Sequence, residues 1–256
     1  MSPVAPGREP DAFPGGSIVG PILAFDTATT VAVIALGDAA GSVRAETAWT
    51  AGYRHGEELL SRIDQLLTGA AASLDSLGGI VVGTGPGAFT GLRVGIATAK
   101  GLASGLDIPI VGVPTRRALQ LAAGRALAGA AVGAKASGPV GEPGPIALLL
   151  PAGPSDRLLV EPADGPTILV PGGTEAPLDP GWTVAALDLV DRAPAEALAL
   201  GTRARQGLAA ALLAIGAAEL AAGRASDLAT LVPEYVTLPR GVRVEVGGVA
   251  WLRDPR

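Results

Sequence analysis

The chain has 256 residues; 48% are hydrophobic, only 3% are aromatic, and 37 are Gly and 22 Pro. With 19 Lys and Arg against 24 Asp and Glu it carries a net charge of −5, which argues against a protein that grips nucleic-acid phosphates by itself. It has no Cys and a single His, His55, which excludes disulfides, thiolate metal sites, thiol nucleophiles and any metal site built on paired His.

Residues 1–20 hold four Pro, together with Arg8, Glu9 and Asp11, and no apolar run of the kind a signal peptide needs. They read as a disordered tail on a cytoplasmic protein. No later segment has the ~20 apolar residues of a membrane span. ILAF (22–25) is a short apolar strand ending in Asp26. VAVIAL (31–36) and a segment near 43–48 follow as further strands, the first two forming an antiparallel hairpin. In GEELLSRIDQLL (56–67) the apolar residues recur at helical spacing, and Glu57 and Glu58 suit the first turn of a helix.

IVV (80–82) reads as a buried strand. After a Gly-rich loop, Thr90 is placed to cap a helix over about 91–104. IPIVGV (108–113) is the next strand, and a helix runs from 114–115 to about 127. Strand and helix alternate, as in an α/β layered fold. Residues 129–145 read as a linker or long loop. Beyond them, strands are expected at 146–150, 157–160, 167–170 and 183–187, then an Ala/Leu helix over 195–222 interrupted near Gly201. The resulting division is a tail (1–20), an N-terminal α/β lobe (21–128), a linker (129–145), a C-terminal lobe (146–240) and a second tail (241–256).

Three features could carry chemistry. Gly85 and Gly87 lie in a loop between a strand and a helix N-terminus, where backbone N–H groups can bind an anion or simply form a tight turn. The loop is neither a Walker A sequence nor a dinucleotide fingerprint. Asp26, Thr27 and Thr29 follow the first strand; they could hold Mg²⁺-bound phosphate, or cap a turn. Gly91, Gly95, Ala99 and Ala103 make a stripe of small residues that lets an element approach closely. That element is either the chain's own sheet or a helix of another chain. His55 reads as a helix-entry or interface residue.

ILAFDTATTVAVIAL (22–36), YRHGEELLSRIDQLL (53–67) and above all GTGPGAFTGLRVGIATAKGLASGLDIPIVGVPT (83–115) resemble the bacterial TsaB family, also called YeaZ. The resemblance covers about residues 21–120 and continues weakly to VPEYV (232–236). It implies an α/β fold of the actin-like, sugar-kinase ATPase (ribonuclease H-like) type with two lobes. It also implies a part in making N6-threonylcarbamoyladenosine in tRNAs that read codons beginning with A. In that family the TsaD paralogue carries the metal and the transfer chemistry, TsaB supports it, and the ATPase TsaE joins them.

The TsaD metal site needs two His one turn apart; here the position four after His55 is Leu59, and no second His exists. The resemblance therefore implies a non-catalytic subunit whose partners are a TsaD-type protein and a TsaE-type ATPase. It would meet tRNA only through the complex, hold no metal and no tightly bound cofactor alone, and use ATP and Mg²⁺ only in the assembly. By the same resemblance His55, Leu59, Ile63, Phe89, Gly91, Val94, Gly95 and Thr98 are expected at the partner interface. Asp26, Thr27, Thr29, Gly85 and Gly87 are the nucleotide-binding candidates. Two departures stand in the second lobe: Pro151 and Pro154 fall where the family has a strand and turn, and the late Pro-x-Tyr-x-Arg survives as Pro233-Glu234-Tyr235-Val236-Thr237 without its Arg. The rival readings are an active ATPase or small-molecule kinase of the same fold, and a homodimeric scaffold.

Overall fold

A computed structural model describes residues 18–51, 55–133, 144–235, 242–245 and 248–251. The first sheet begins with a three-strand meander, β1 (Ile22–Asp26), β2 (Val31–Gly37) and β3 (Val43–Thr50), paired antiparallel. Helix α1 (His55–Gly69) then leads to β4 (Gly79–Gly83), and α2 (Phe89–Leu106) leads to β5 (Ile110–Val113). Both later strands add parallel, giving the order β3-β2-β1-β4-β5. All five residues of β1 and of β4 are buried, as central strands covered on both faces must be.

Helix α3 (Thr115–Gly133) connects to a second sheet. Strands β6 (Ile146–Pro151), β7 (Arg157–Val160) and β8 (Thr167–Val170) repeat the antiparallel meander, and β9 (Thr183–Ala186) adds parallel to β6. The order β8-β7-β6-β9 reproduces the first four strands of the N-terminal sheet. A three-strand meander extended by a parallel strand, occurring twice in one chain, is the two-sheet arrangement of the actin-like fold. Pro151 ends β6 opposite Arg157, so the strand and its hairpin form despite the prolines.

The chain closes with α4 (Ala195–Gln206), α5 (Leu208–Ala221) and a backbone hairpin of β10 (Val242–Glu245) and β11 (Gly248–Trp251), within the stretch expected as a tail. The Ala/Leu helix does break, but at Gly207, where α4 and α5 meet at 55°; Gly201 lies inside α4, against the Ala186 backbone. No single described helix is long and apolar enough to cross a membrane. Helix α3 runs six residues past the expected 127, into the stretch read as linker. The remainder of that stretch, 134–143, and residues 1–17 of the expected N-terminal tail lie outside the described residues.

Three apolar clusters hold this together. Ile22, Ala24, Val81 and Val111 on one face of the first sheet share a core with Leu148, Leu150 and Leu158 of the second, and with α3 and α5. The opposite face of the first sheet, with Leu23, Phe25, Ile80 and Val82, is covered by α1 and α2. The other face of the second sheet packs Leu149, Leu159 and Ala186 against Ala197 of α4. Strand β1 thus alternates Ile22 and Ala24 into one cluster with Leu23 and Phe25 into the other, the period-two pattern of a pleated strand.

Candidate functional site

The carboxyl ends of β1 and β4 and the start of α2 meet at one edge of the first sheet. Asp26 is fully buried there. Its Oδ2 accepts the Thr115 hydroxyl at 2.6 Å and its Oδ1 accepts the Ala28 N–H at 2.7 Å. Thr115 Oγ1 in turn accepts the Gly85 N–H at 2.9 Å. A side chain at Gly83 would collide with the carboxylate, so β4 ends in glycine where it passes Asp26. Burial pushes the Asp26 carboxyl above its ordinary 3.8, and the bonds from Thr115 and Ala28 offset this only in part. Asp26 therefore ties β1, the Gly-rich loop and α3 together.

The neighbouring candidates are used in the same way. Thr27 Oγ1 donates to the Gly91 carbonyl at 2.7 Å, pinning the first turn of α2 to the end of β1. Thr29 Oγ1 donates to the Val31 carbonyl at 2.7 Å, a local turn bond. Gly85 adopts φ +107°, a conformation that glycine allows, and precedes a cis bond to Pro86. Gly87 passes so close to the Ala28 carbonyl that no Cβ fits, and the Ala88 N–H donates to that same carbonyl at 2.7 Å. The expected nucleotide-binding set is thus brought together, but Asp26, Thr27 and Thr29 spend their side chains on the fold. Thr90 does not cap α2; the helix starts at Phe89 with Ala88 as its N-cap, and the Thr27 bond to Gly91 holds its first turn.

The small-residue stripe faces inward. Gly91, Gly95, Ala99 and Ala103 are all buried, and Gly95 lies against Thr27. Leu59 and Ile63 of α1 are buried in the cluster beneath the first sheet. This corrects the expectation that these residues touch a partner: the stripe lets α2 approach the chain's own β1, and Leu59 and Ile63 are core. Of the expected interface residues, Phe89, Val94 and Thr98 reach the surface in part. The His55 side chain lies outside the described residues. What α1 and α2 expose instead is a different set: Leu60, 55% exposed, with Arg93 and Ala97.

A cleft of about 340 Å³ opens between the two sheets, lined mostly by apolar groups that include Ala28, Gly87, Leu150, Leu187 and Tyr235. One lip is a cluster that no local sequence pattern marks. The Arg93 guanidinium stacks 3.7 Å from the Phe89 ring centre, Arg93 Nε donates to the Tyr235 hydroxyl at 2.9 Å, and the two rings lie 5.0 Å apart. The segment after α5 brings Tyr235 there. Ser226 bonds both the Ile110 carbonyl and the Gly112 N–H, Leu231 fills the space above Gly112, and the Glu234 N–H donates to the Thr84 carbonyl at 2.7 Å. Thr30 and Asp188 also line the cleft, and Asp188 accepts bonds from Thr30 and Arg205. Neither Asp188 nor Arg205 stood out in the sequence, because no local pattern marks a contact spanning 158 residues.

Residues 49–135 match the family described as TsaD, tRNA N6-adenosine threonylcarbamoyltransferase. Over 94 residues, 37% of this chain and 40% of the relative, the sequence is 39% identical to the tRNA threonylcarbamoyladenosine biosynthesis protein TsaB of Escherichia coli (strain K12). The corresponding protein of Haemophilus influenzae is 34% identical over 105 residues, 40% of this chain and 42% of that one. The matched stretch therefore spans about two fifths of the length of these curated relatives. The fold is similar along nearly the whole chain to YeaZ from Pseudomonas aeruginosa, with a TM-score of 0.59 over 85% of this chain and 100% of that one, at 23% identity.

Proposed function

We propose that this chain belongs to the TsaB family and is the non-catalytic subunit that binds and supports a TsaD-type protein in forming N6-threonylcarbamoyladenosine in tRNA. One observation carries the reading: the residues that resemble the family most closely, 83–115, build α2 and its Gly-rich loop, while the groups that would do chemistry are missing or spent. A single His leaves no second imidazole for a paired-His metal site. Asp26, the carboxylate that ends β1, is enclosed by Ala28 and Thr115 and turned away from solvent. An active ATPase or kinase of this fold would need that carboxylate free for a Mg²⁺-bound phosphate.

The partner surface is the outer face of α1 and α2, where Leu60 of α1 is exposed and Val94, Ala97 and Thr98 of α2 reach the surface in whole or in part. An exposed Leu on a helix next to a second helix of small residues suits packing against helices of another chain. ATP, Mg²⁺ and a TsaE-type ATPase join in the assembly, and tRNA is met through the partners, in keeping with the net charge of −5. On this reading the protein works in the cytoplasm.

The test is pairwise. Leu60→Asp puts a charge on the exposed side of α1. It should leave the melting temperature within about 1 °C of wild type and weaken binding to the TsaD-type protein of the same organism by at least ~10-fold in calorimetric titration. Unchanged binding would move the partner surface elsewhere. A stable self-dimer that the TsaD-type protein does not displace would favour the homodimeric scaffold.

A further inference from the structure

We propose that Asp188 is a tethered internal anion, seated in an oxyanion site that Thr30 and Arg205 build, and that its carboxylate holds the two sheets together across the cleft. Three donors converge on one carboxylate. The Thr30 N–H reaches Oδ2 at 3.2 Å, the Thr30 hydroxyl reaches Oδ1 at 2.6 Å, and Arg205 Nη2 reaches Oδ1 at 2.7 Å. A backbone N–H, a hydroxyl and a guanidinium form the donor set that binds a carboxylate or a phosphate in any protein. Thr30 belongs to the turn between β1 and β2, whereas Asp188 follows β9 and Arg205 lies on α4. The carboxylate therefore bridges the first sheet to the second.

The site is built rather than incidental. Asp188 sits at φ +54°, a left-handed conformation that Asp accepts at modest cost. Its backbone is fixed by Arg192, whose guanidinium donates to the Asp188 carbonyl at 3.4 Å and to the carbonyls of Gly153 and Pro154 at 3.1 and 3.0 Å. Among the described residues Arg205 Nε is buried without a hydrogen-bond partner, so the guanidinium that holds the carboxylate through Nη2 keeps an unused donor. The Asp188 and Arg205 side chains are only 14% and 21% exposed, and Thr30, on the other side, is open to solvent. An oxyanion the size of the Asp188 carboxylate can therefore enter once that carboxylate is removed.

The experiment is anion rescue in the full chain. Asp188→Ala should melt about 5 °C below wild type, as expected when a charge-assisted bridge is lost from a domain of this size. Formate should restore at least half of that loss with saturation, compared with sodium chloride at equal ionic strength. Phosphate is tested in parallel to separate a carboxylate-sized site from a larger one. Wild type should not respond, and adding Arg205→Gln to Asp188→Ala should abolish the rescue. The proposal is overturned if Asp188→Ala melts like wild type, or if formate shifts both proteins equally. Should Asp188→Ala not fold, Thr30→Val and Asp188→Asn are combined in a double-mutant cycle. Their joint effect on the denaturation midpoint should be smaller than the sum of the two; additivity would overturn the proposal as well.

Discussion

Gly95 offers the sharpest test of how α2 is seated. A Cβ at this position would lie well inside contact distance of Thr27 Oγ1, with Thr27 Cβ and Cγ2 at 3.6 and 3.8 Å. Thr27 cannot yield freely, because its hydroxyl holds the Gly91 carbonyl at 2.7 Å one turn earlier. Gly95→Leu must therefore overpack the crossing of α2 and β1, at roughly 1–3 kcal/mol, and break that bond, at about 0.5–1.5 kcal/mol. The sum is about 1.5–4.5 kcal/mol, and with some 2–4 °C per kcal/mol for a chain of this size the melting temperature should fall by roughly 3–18 °C. Circular dichroism or differential scanning fluorimetry reads it directly. Gly95→Ala should cost less, since one methyl displaces only the hydroxyl. A Gly95→Leu protein that melts like wild type yet no longer binds its partner would refute the placement, and would return the stripe to the role of an intermolecular contact.

The Asp26 network makes a second, pH-dependent prediction. Because burial raises the folded-state value of Asp26 above 3.8, its contribution to stability is fully present below that unfolded value and declines as pH rises through the raised one. Asp26→Asn should remove this acid-side slope in chemical denaturation measured from pH 4 upward; an unchanged slope would contradict it. Thr115→Val should cost about 1–3 kcal/mol, because it strips a bond from the carboxylate and leaves the Gly85 N–H unpaired. For nucleotide, titration of the isolated chain with ATP and Mg²⁺ should give no Asp26-dependent heat, whereas tight binding lost in Asp26→Asn would revive the ATPase reading.

Much of the N-terminal sheet was legible in the sequence because its signals are local. β-branched runs between Gly-rich turns mark β1, β2, β4 and β5, and the helical spacing of Leu59, Leu60 and Ile63 marks α1. Periodicity could not say which face of α2 looks inward, because a stripe of Gly and Ala fits a sheet and a foreign helix alike; the contact between Gly95 and Thr27 decides it. Asp26 was legible as an important carboxylate, but its partner Thr115 comes 89 residues later, and a sequence spacing of that size carries no signal. The Asp188 bridge and the Arg93–Tyr235 lip were invisible for the same reason. The Ala/Leu run signals a broken helix but not where it breaks: Gly201 packs on the Ala186 backbone inside α4, while Gly207 makes the bend. The tail hairpin was missed because its two strands are only four residues each.

In the proposed role this chain is required for the modification without performing it. The direct measurement is an omission experiment: the TsaC-, TsaD- and TsaE-type proteins of the same organism are combined with its tRNA, ATP, threonine and bicarbonate, with and without this chain. Nucleoside mass spectrometry then quantifies N6-threonylcarbamoyladenosine. Product that depends on the chain, and no product from the chain without the TsaD-type protein, is the expected result. Equal product in its absence, or turnover by this chain alone, would contradict the account.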